Sequence, residues 1–277
     1  MTTSPTSERS QAPMIDTTKP SVARAYDYAL GGKDNYAVDR ELLRQLNAAV
    51  PEVGLIAVTN RTFLIRAVRF LANRAGIDQY LDCGSGLPTA ENTHQVAQRL
   101  NREAKVVYVD NDPVVVAHGR ALLEENENTN FLAADIFDPP QVLENETVTE
   151  NLDFTRPLAL LQVATLHHHG GENGNSPVDV MRAYIDAIPS GSFVAFSHFF
   201  DPEDENSETA QRVQSILNAG INRGYFRKRS EIMEMLEGLD LVDPGLVVND
   251  DWWPDGPHLE PLAAAAKCIV ACVGRKP

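Results

Sequence analysis

The chain has 277 residues, 43% of them hydrophobic, and carries 24 basic against 39 acidic residues for a net charge of −15. That length suits one large α/β domain with an extension, or two small domains, and the apolar fraction is enough for a sizeable core. So acidic a balance disfavours duplex nucleic acid as a partner, because phosphate binding relies on Lys and Arg displacing counterions.

Residues 1–14 are rich in Ser, Thr and Pro and hold no apolar segment that could serve as a signal peptide, which predicts a disordered tail. Residues 21–30 can form a short helix that stops at Gly31-Gly32, and residues 34–40 restart it. The glycines, the aromatics around them and Asn35 exceed what a connector needs, so this segment is either a lid or a helical hairpin covering a sheet face. Residues 41–50 and 59–74 carry helical periodicity, the second with Phe63, Ala67, Phe70 and Leu71 on one side and Gly76 as its stop.

Tyr80-Leu-Asp-Cys-Gly-Ser-Gly-Leu-Pro88 reads as a strand that ends in an acid and opens into a glycine turn, where Gly84 and Gly86 let a ligand approach the backbone. A helix is expected from Thr89 to Arg102. Residues 105–110 repeat the strand-then-acid pattern, and Asp112-Pro113 caps a helix running to about Glu125. Residues 131–135 give the pattern a third time, before a break at Asp138-Pro139-Pro140. Residues 158–164 are apolar almost throughout, as in a central parallel strand. Then come a helix from Ser176-Pro177, a strand over 192–198, helices over 208–222 and 230–237, and closing strands over 246–248 and 267–273. The basic cluster from Arg223 to Arg229 reads as a solvated helix end. No run approaches membrane-spanning length, so no membrane partner is expected. Strand and helix alternate from Gln79 onward without repeat or linker, which predicts one open doubly wound α/β sheet with an N-terminal helical extension.

In such a sheet the ligand lies beyond the carboxyl ends of the strands, where strand order reverses. Asp82, Asp110 and Asp135 therefore face one crevice, and Asp110, 24 residues after Gly86, stands where an acid holds ribose hydroxyls. NAD and S-adenosylmethionine both fit that much. The loop continues as Leu87-Pro88-Thr89 without the third glycine of a pyrophosphate clamp, and Asp82 would repel a pyrophosphate while suiting an ammonium and a sulfonium. Asp135 is placed to accept from an adenine amino group.

Asp-x-Gly-x-Gly with acids after the second and third strands resembles the class I S-adenosylmethionine-dependent methyltransferases. The finer pattern is similar to one actinobacterial family of them, formerly a domain of unknown function and of unknown substrate. It is carried by Ala23-Arg-Ala-Tyr-Asp-Tyr-Ala-Leu-Gly-Gly-Lys-Asp-Asn35 with Asp39-Arg40, Asn60-Arg61 with Phe63, and Leu81-Asp-Cys-Gly-Ser-Gly-Leu-Pro-Thr89. Val107-Tyr-Val-Asp-Asn-Asp-Pro-Val-Val115 and Leu152-Asp-Phe-Thr-Arg-Pro157 complete it. The resemblance implies a Rossmann-like sheet of seven strands, mostly parallel with an antiparallel last strand, over residues 76–277, and a helical lid or extension over 15–75. It implies that Asp82, Gly84 and Gly86 line the methionine part of S-adenosylmethionine, that Asp110 and Asn111 meet the ribose side, and that Asp135 and Ile136 flank adenine. Gln162 and Ala164 would lie under the sulfonium, and the segment carrying Tyr28, Gly31, Gly32 and Asn35 would close over the cofactor. The activity implied is methyl transfer to an unidentified small or medium-sized molecule. An S-adenosylmethionine-binding regulator without turnover and an NAD-dependent oxidoreductase are the alternatives.

His167-His168-His169 ends the fourth strand. On an extended segment only His167 and His169 could share an ion, so no metal is expected; His167 could act as general base, or the loop could simply face solvent. His198, which ends the fifth strand, could border the acceptor pocket or cap the sheet. The tryptophans in Asp250-Asp-Trp-Trp-Pro-Asp-Gly-Pro257 could wall an acceptor cleft or anchor packing. Cys83, Cys268 and Cys272 form no disulfide framework, since Cys268 and Cys272 on one strand would stand about 13 Å apart. A reducing cytoplasm is therefore expected.

Overall fold

The computed structural model describes residues 15–88, 91–122, 126–221 and 223–277; the tail expected over 1–14 lies outside them. The strands are β1 (Gln79–Cys83), β2 (Lys105–Asp110), β3 (Thr129–Ala133), β4 (Ala159–Val163), β5 (Phe193–Phe199), β6 (Asp240–Leu241), β7 (Val247–Val248) and β8 (Ile269–Arg275). They form one sheet in the order β3-β2-β1-β4-β5-β8-β6, parallel from β3 to β5, with β8 antiparallel to β5. Where seven strands were expected, the outer edge of β8 is shared by two short ones: β6 pairs Leu241 with Gly274 and β7 pairs Val247 with Ala271. The cause is a turn between them, in which the Gly245 amide, at φ +83°, donates to Val242 O and lifts the chain off the edge.

Alternate strand residues fill two cores. Leu81, Val107, Leu160 and Phe196 face one side, against α8 (Pro177–Ala187) and α10 (Arg229–Met235). Tyr80, Val106, Ala159 and Leu161 face the other, against α3 (Leu55–Asn73), α4 (Thr93–Leu100) and α5 (Pro113–Leu122). Burial of each large aliphatic side chain here contributes about 1.5–3 kcal/mol. On α3 the buried Phe63, Leu64, Ala67, Val68 and Leu71 recur at helical spacing, as the sequence predicts. Three details differ. The helix expected from Thr89 begins at Thr93. The break at Asp138 is the start of α6 (Pro139–Leu143), since the Asp138 side chain accepts from the Gln141 amide, and α7 (Glu146–Asn151) follows. The cluster at residues 223–228 is an extended connection into α10 and not a helix end. Arg227 within it donates to Leu166 O at 3.2 Å and His169 O at 2.6 Å.

The N-terminal extension supplies α1 (Val22–Ala29) and α2 (Ala37–Ala49). They are joined by a buried ion pair, Arg24 Nε to Asp39 Oδ2 at 2.9 Å, whose carboxylate also accepts from the Ser21 and Tyr36 amides. The α2 helix packs against α9 (Ser207–Gly220), and Leu42, Leu46, Val213, Leu217, Phe199 and Ile269 form a third apolar cluster there. Trp252 is fully buried, edge-on to Phe63 at 5.4 Å and to Phe70 at 5.7 Å, so it anchors packing, while Trp253 is exposed beside Phe70. Cys83, Cys268 and Cys272 are buried free thiols, and among the described residues no helix is long and apolar enough to cross a membrane.

Candidate active site

A cavity of about 620 Å³ opens at the carboxyl ends of β1, β2 and β4, where strand order reverses, and runs under α1 and α2. Its β2–β3 side is polar: Asp82, Asp110, Asn111, Asp112 and Asp135 line it, with Arg61 facing them from α3. Its β5–β8 side is walled by Leu42, Leu46, Val213, Leu217, Phe199 and Ile269. An acidic end at the β2–β3 side thus faces an apolar end at the β5–β8 side that α2 and α9 complete.

At the acidic end the glycine turn has the conformation its sequence requires. Gly84 and Gly86 sit at φ +79° and +64°, and a Cβ on Gly84 would strike the Thr165 side chain. At Gly86 an added Cβ would meet no atom within 4 Å, so bare backbone borders open cavity. Asp110 accepts from the Gly86 amide through Oδ2 and from the Asp112 amide through Oδ1, each at 2.9 Å, which locks the carboxylate onto the turn. Burial pushes its pKa up to about 6 against those two bonds. Burial likewise raises Asp82 to about 6, opposed by a 2.7 Å bond from Thr93 Oγ1 and by the Arg61 charge. Asp135 Oδ1 accepts from the Phe137 amide at 3.0 Å.

Of the residues expected to hold the cofactor, Asp82, Gly84, Gly86, Asp110, Asn111, Asp135, Ile136 and Ala164 line this cavity. Tyr28, Gly31, Gly32, Asn35 and Gln162 do not. Asn35 and the Asp34 amide instead donate to Asp27 Oδ2 at 2.8 and 3.0 Å, and a Cβ on Gly32 would collide with that carboxylate. The glycine-rich word therefore holds Asp27, which is in the cavity wall, and leaves Tyr28 38% exposed outside it. Gln162 is wholly buried beneath; its Oε1 accepts from Thr165 Oγ1 at 2.6 Å and its Nε2 has no partner among the described residues.

Sequence reasoning missed Asp27, Asn60, Arg61, Phe199 and Arg223 as wall residues. A signal existed for Asn60, a polar side chain among the apolar positions of α3. It is the hub of a buried network, accepting from Ser197 Oγ at 2.5 Å and donating to Tyr26 Oη at 3.0 Å. Ser197 Oγ accepts in turn from the Ala164 amide at 2.9 Å, and Ala164, at φ +60°, is held in a conformation that a non-glycine residue adopts at a cost.

The histidine segment forms a tight helical turn, residues 166–168, and not an extended strand. His167 stacks on Phe199 at 3.5 Å, and its Nδ1 accepts from the Phe199 amide at 3.2 Å. The ring's proton is thus on Nε2, and burial holds its pKa well below the usual histidine range, so Nε2 can donate but cannot take a proton. This corrects the expectation of His167 as general base. His168 Nδ1 faces Arg223 O at 3.0 Å and must donate, which leaves its Nε2 with a lone pair. His169 turns away, its Nε2 to Asn175 O at 2.6 Å and its Nδ1 to Glu172 at 3.0 Å, so it shares no ion with His167. Among the described residues no group of three or more His, Cys, Asp or Glu is placed to hold a metal. His198 lies within β5, paired with Val270, accepts from Arg227 at Nε2, 2.9 Å, and is not in the cavity wall, so it neither borders the cavity nor caps the sheet.

The chain matches a family model described as S-adenosyl methyltransferase over residues 8–277. Among solved structures, a candidate methyltransferase from Thermobifida fusca YX shares 40% identity over 94% of this chain and 96% of that one, with a TM-score of 0.88. A DUF574 family protein from Streptomyces avermitilis MA-4680 shares 35% identity over 95% and 100%, with a TM-score of 0.89. An O-methyltransferase family protein from Burkholderia thailandensis, 11% identical over 80% and 57%, is alike in fold alone, at a TM-score of 0.52. No curated protein matches the chain by sequence.

Proposed function

Because this chain belongs to the S-adenosyl methyltransferase family and is an S-adenosylmethionine-dependent methyltransferase, we propose that the acidic end of the cavity holds the cofactor and the apolar end a small-molecule methyl acceptor. When bound, S-adenosylmethionine supplies a methyl group on a positively charged sulfur. The residues present fit it: Asp110 is a fixed acceptor for ribose hydroxyls, Asp82 and Asp27 oppose positive charge, Arg61 opposes the carboxylate, and Asp135 with Ile136 borders the adenine. Gly84 and Gly86 bring bare backbone to the cofactor. Apart from Asp27 and Arg61, these assignments are those the sequence implies. The buried free thiols fit a reducing, cytoplasmic setting.

The observation that carries this reading is the convergence of Asp82, Asp110 and Asp135 on one cavity whose opposite end is apolar. Methyl transfer from an activated donor needs alignment and exclusion of water above all, and α1 and α2 roof the cavity to provide both. Calorimetry with S-adenosylmethionine and S-adenosylhomocysteine tests it: both bind, and Asp110→Ala and Asp82→Ala each weaken them. Undiminished affinity in both variants would refute the assignment.

A further inference from the structure

Three polar groups stand among the apolar wall residues: the ring edges of His167 and His168, and Arg223, which follows α9. Their protonation states are set by bonds behind them. His167 presents N–H at Nε2, because its Nδ1 is taken by the Phe199 amide. His168 presents a lone pair at Nε2, because its Nδ1–H is taken by Arg223 O. Arg223 lines the same cavity, its positive charge acts on the His168 ring, and among the described residues it is in no ion pair. Glu172, whose charge it feels, is bound to His169. The carboxylates of the cavity all belong to the cofactor end or to α1. An ammonium group brought to the apolar end would meet Arg223 and no counter-charge, whereas an oxyanion would meet Arg223 and the His167 N–H.

Resting on the assignment of this end to the acceptor, we propose that the acceptor is an apolar molecule bearing an ionisable hydroxyl, a phenol or enol, and that His168 Nε2 receives its proton. The hydroxyl oxygen gives its proton to Nε2 as it bonds to the methyl carbon, and the carbon–sulfur electron pair stays on sulfur. A neutral hydroxyl becomes a methyl ether, the neutral ring becomes an imidazolium, and the sulfonium becomes a thioether. Burial and the Arg223 charge hold His168 down at about 4, which makes it a weak base and matches it to acidic hydroxyls over alcohols.

The test uses the whole protein and probes on one naphthalene skeleton. With S-adenosylhomocysteine bound, 4-nitro-1-naphthol, ionised at neutral pH, should bind at least about ten-fold more tightly than 2-(aminomethyl)naphthalene, a cation. Arg223→Gln should abolish that preference, and Val213→Asn, a neutral polar residue in the apolar wall, should weaken both probes. With S-adenosylmethionine, His168→Asn, whose amide can still donate to Arg223 O, should slow methylation of 2-naphthol about a hundred-fold. It should leave 4-nitro-1-naphthol, which has no proton to lose, within about three-fold of the unsubstituted protein. Tighter binding of the cation, equal slowing of both naphthols, or no transfer to either overturns the proposal. Absent S-adenosylhomocysteine binding would instead defeat the cofactor assignment beneath it, so the two failures are told apart.

Discussion

The two ends of the cavity are built in different ways. The acidic end comes from short-range structure: a strand, a turn with glycines at positive φ, and an aspartate closing the next strand, so that Asp110 and Gly86 bond directly. The apolar end is assembled from segments far apart in the chain, α2, the start of α3, β5, α9 and β8, and the residues they bring to it belong to no motif. One end is a local backbone device and the other a meeting of amphipathic faces, and they should respond differently to substitution.

The largest effect is expected at the joint that roofs both. Asp39→Ala leaves Arg24 buried without its carboxylate, a loss of about 3–5 kcal/mol. Hydrogen exchange should show α1 and α2 opening while β1, β2 and β4 stay protected, with cofactor and apolar probes lost together. Protection of α1 equal to that of the unsubstituted protein would mean that the pair is not what holds the roof. Next, Asp110→Ala removes the proposed ribose acceptor together with its bonds to the Gly86 and Asp112 amides, and leaves the apolar end in place. We expect S-adenosylhomocysteine affinity to fall by about 2–3 kcal/mol in calorimetry while a naphthalene probe binds within about three-fold, which separates the two ends energetically.

Acid should sharpen the same contrast. Asp82 and Asp110 are raised from 3.8 to about 6 by folding, so the protein without cofactor pays for two buried charges above pH 6. It gains stability as pH falls from 7 towards 4, since the folded state then binds the protons more tightly. Cofactor binding requires the ionised acids and so weakens over the same interval. Isothermal titration between pH 8 and pH 5 should show S-adenosylhomocysteine affinity falling as pH drops through 6, with a neutral naphthalene probe unaffected. The smallest effect is expected from Ala164→Gly, which relieves a positive φ between the two ends and should raise stability by up to about 1 kcal/mol in denaturant unfolding.

Legibility followed the same division. The strands, their order of use and the three acids could be read because apolar runs, turn glycines and strand-end carboxylates are local signals. The apolar wall could not, because Leu42 and Leu217 look the same in sequence whether they fill a core or face a ligand. The word from Tyr28 to Asn35 was harder to read for a different reason: Gly32 and Asn35 serve Asp27 from behind. His167 and His168 are adjacent and identical in kind, and only the partner of each Nδ1, Phe199 N in one case and Arg223 O in the other, gives them opposite chemistry.

The gathering of Asp82, Asp110, Asp112 and Asp135 at one end also bears on turnover. S-adenosylmethionine carries one more positive charge than S-adenosylhomocysteine, and the chain's net charge of −15 extends the negative field of those carboxylates outward. On the proposed assignment, that field would draw the donor in and lose its hold when the methyl group leaves, because the charge it acts on disappears at sulfur. Long-range electrostatics would then discriminate fresh donor from spent product, and the discrimination should fade as added salt screens the field.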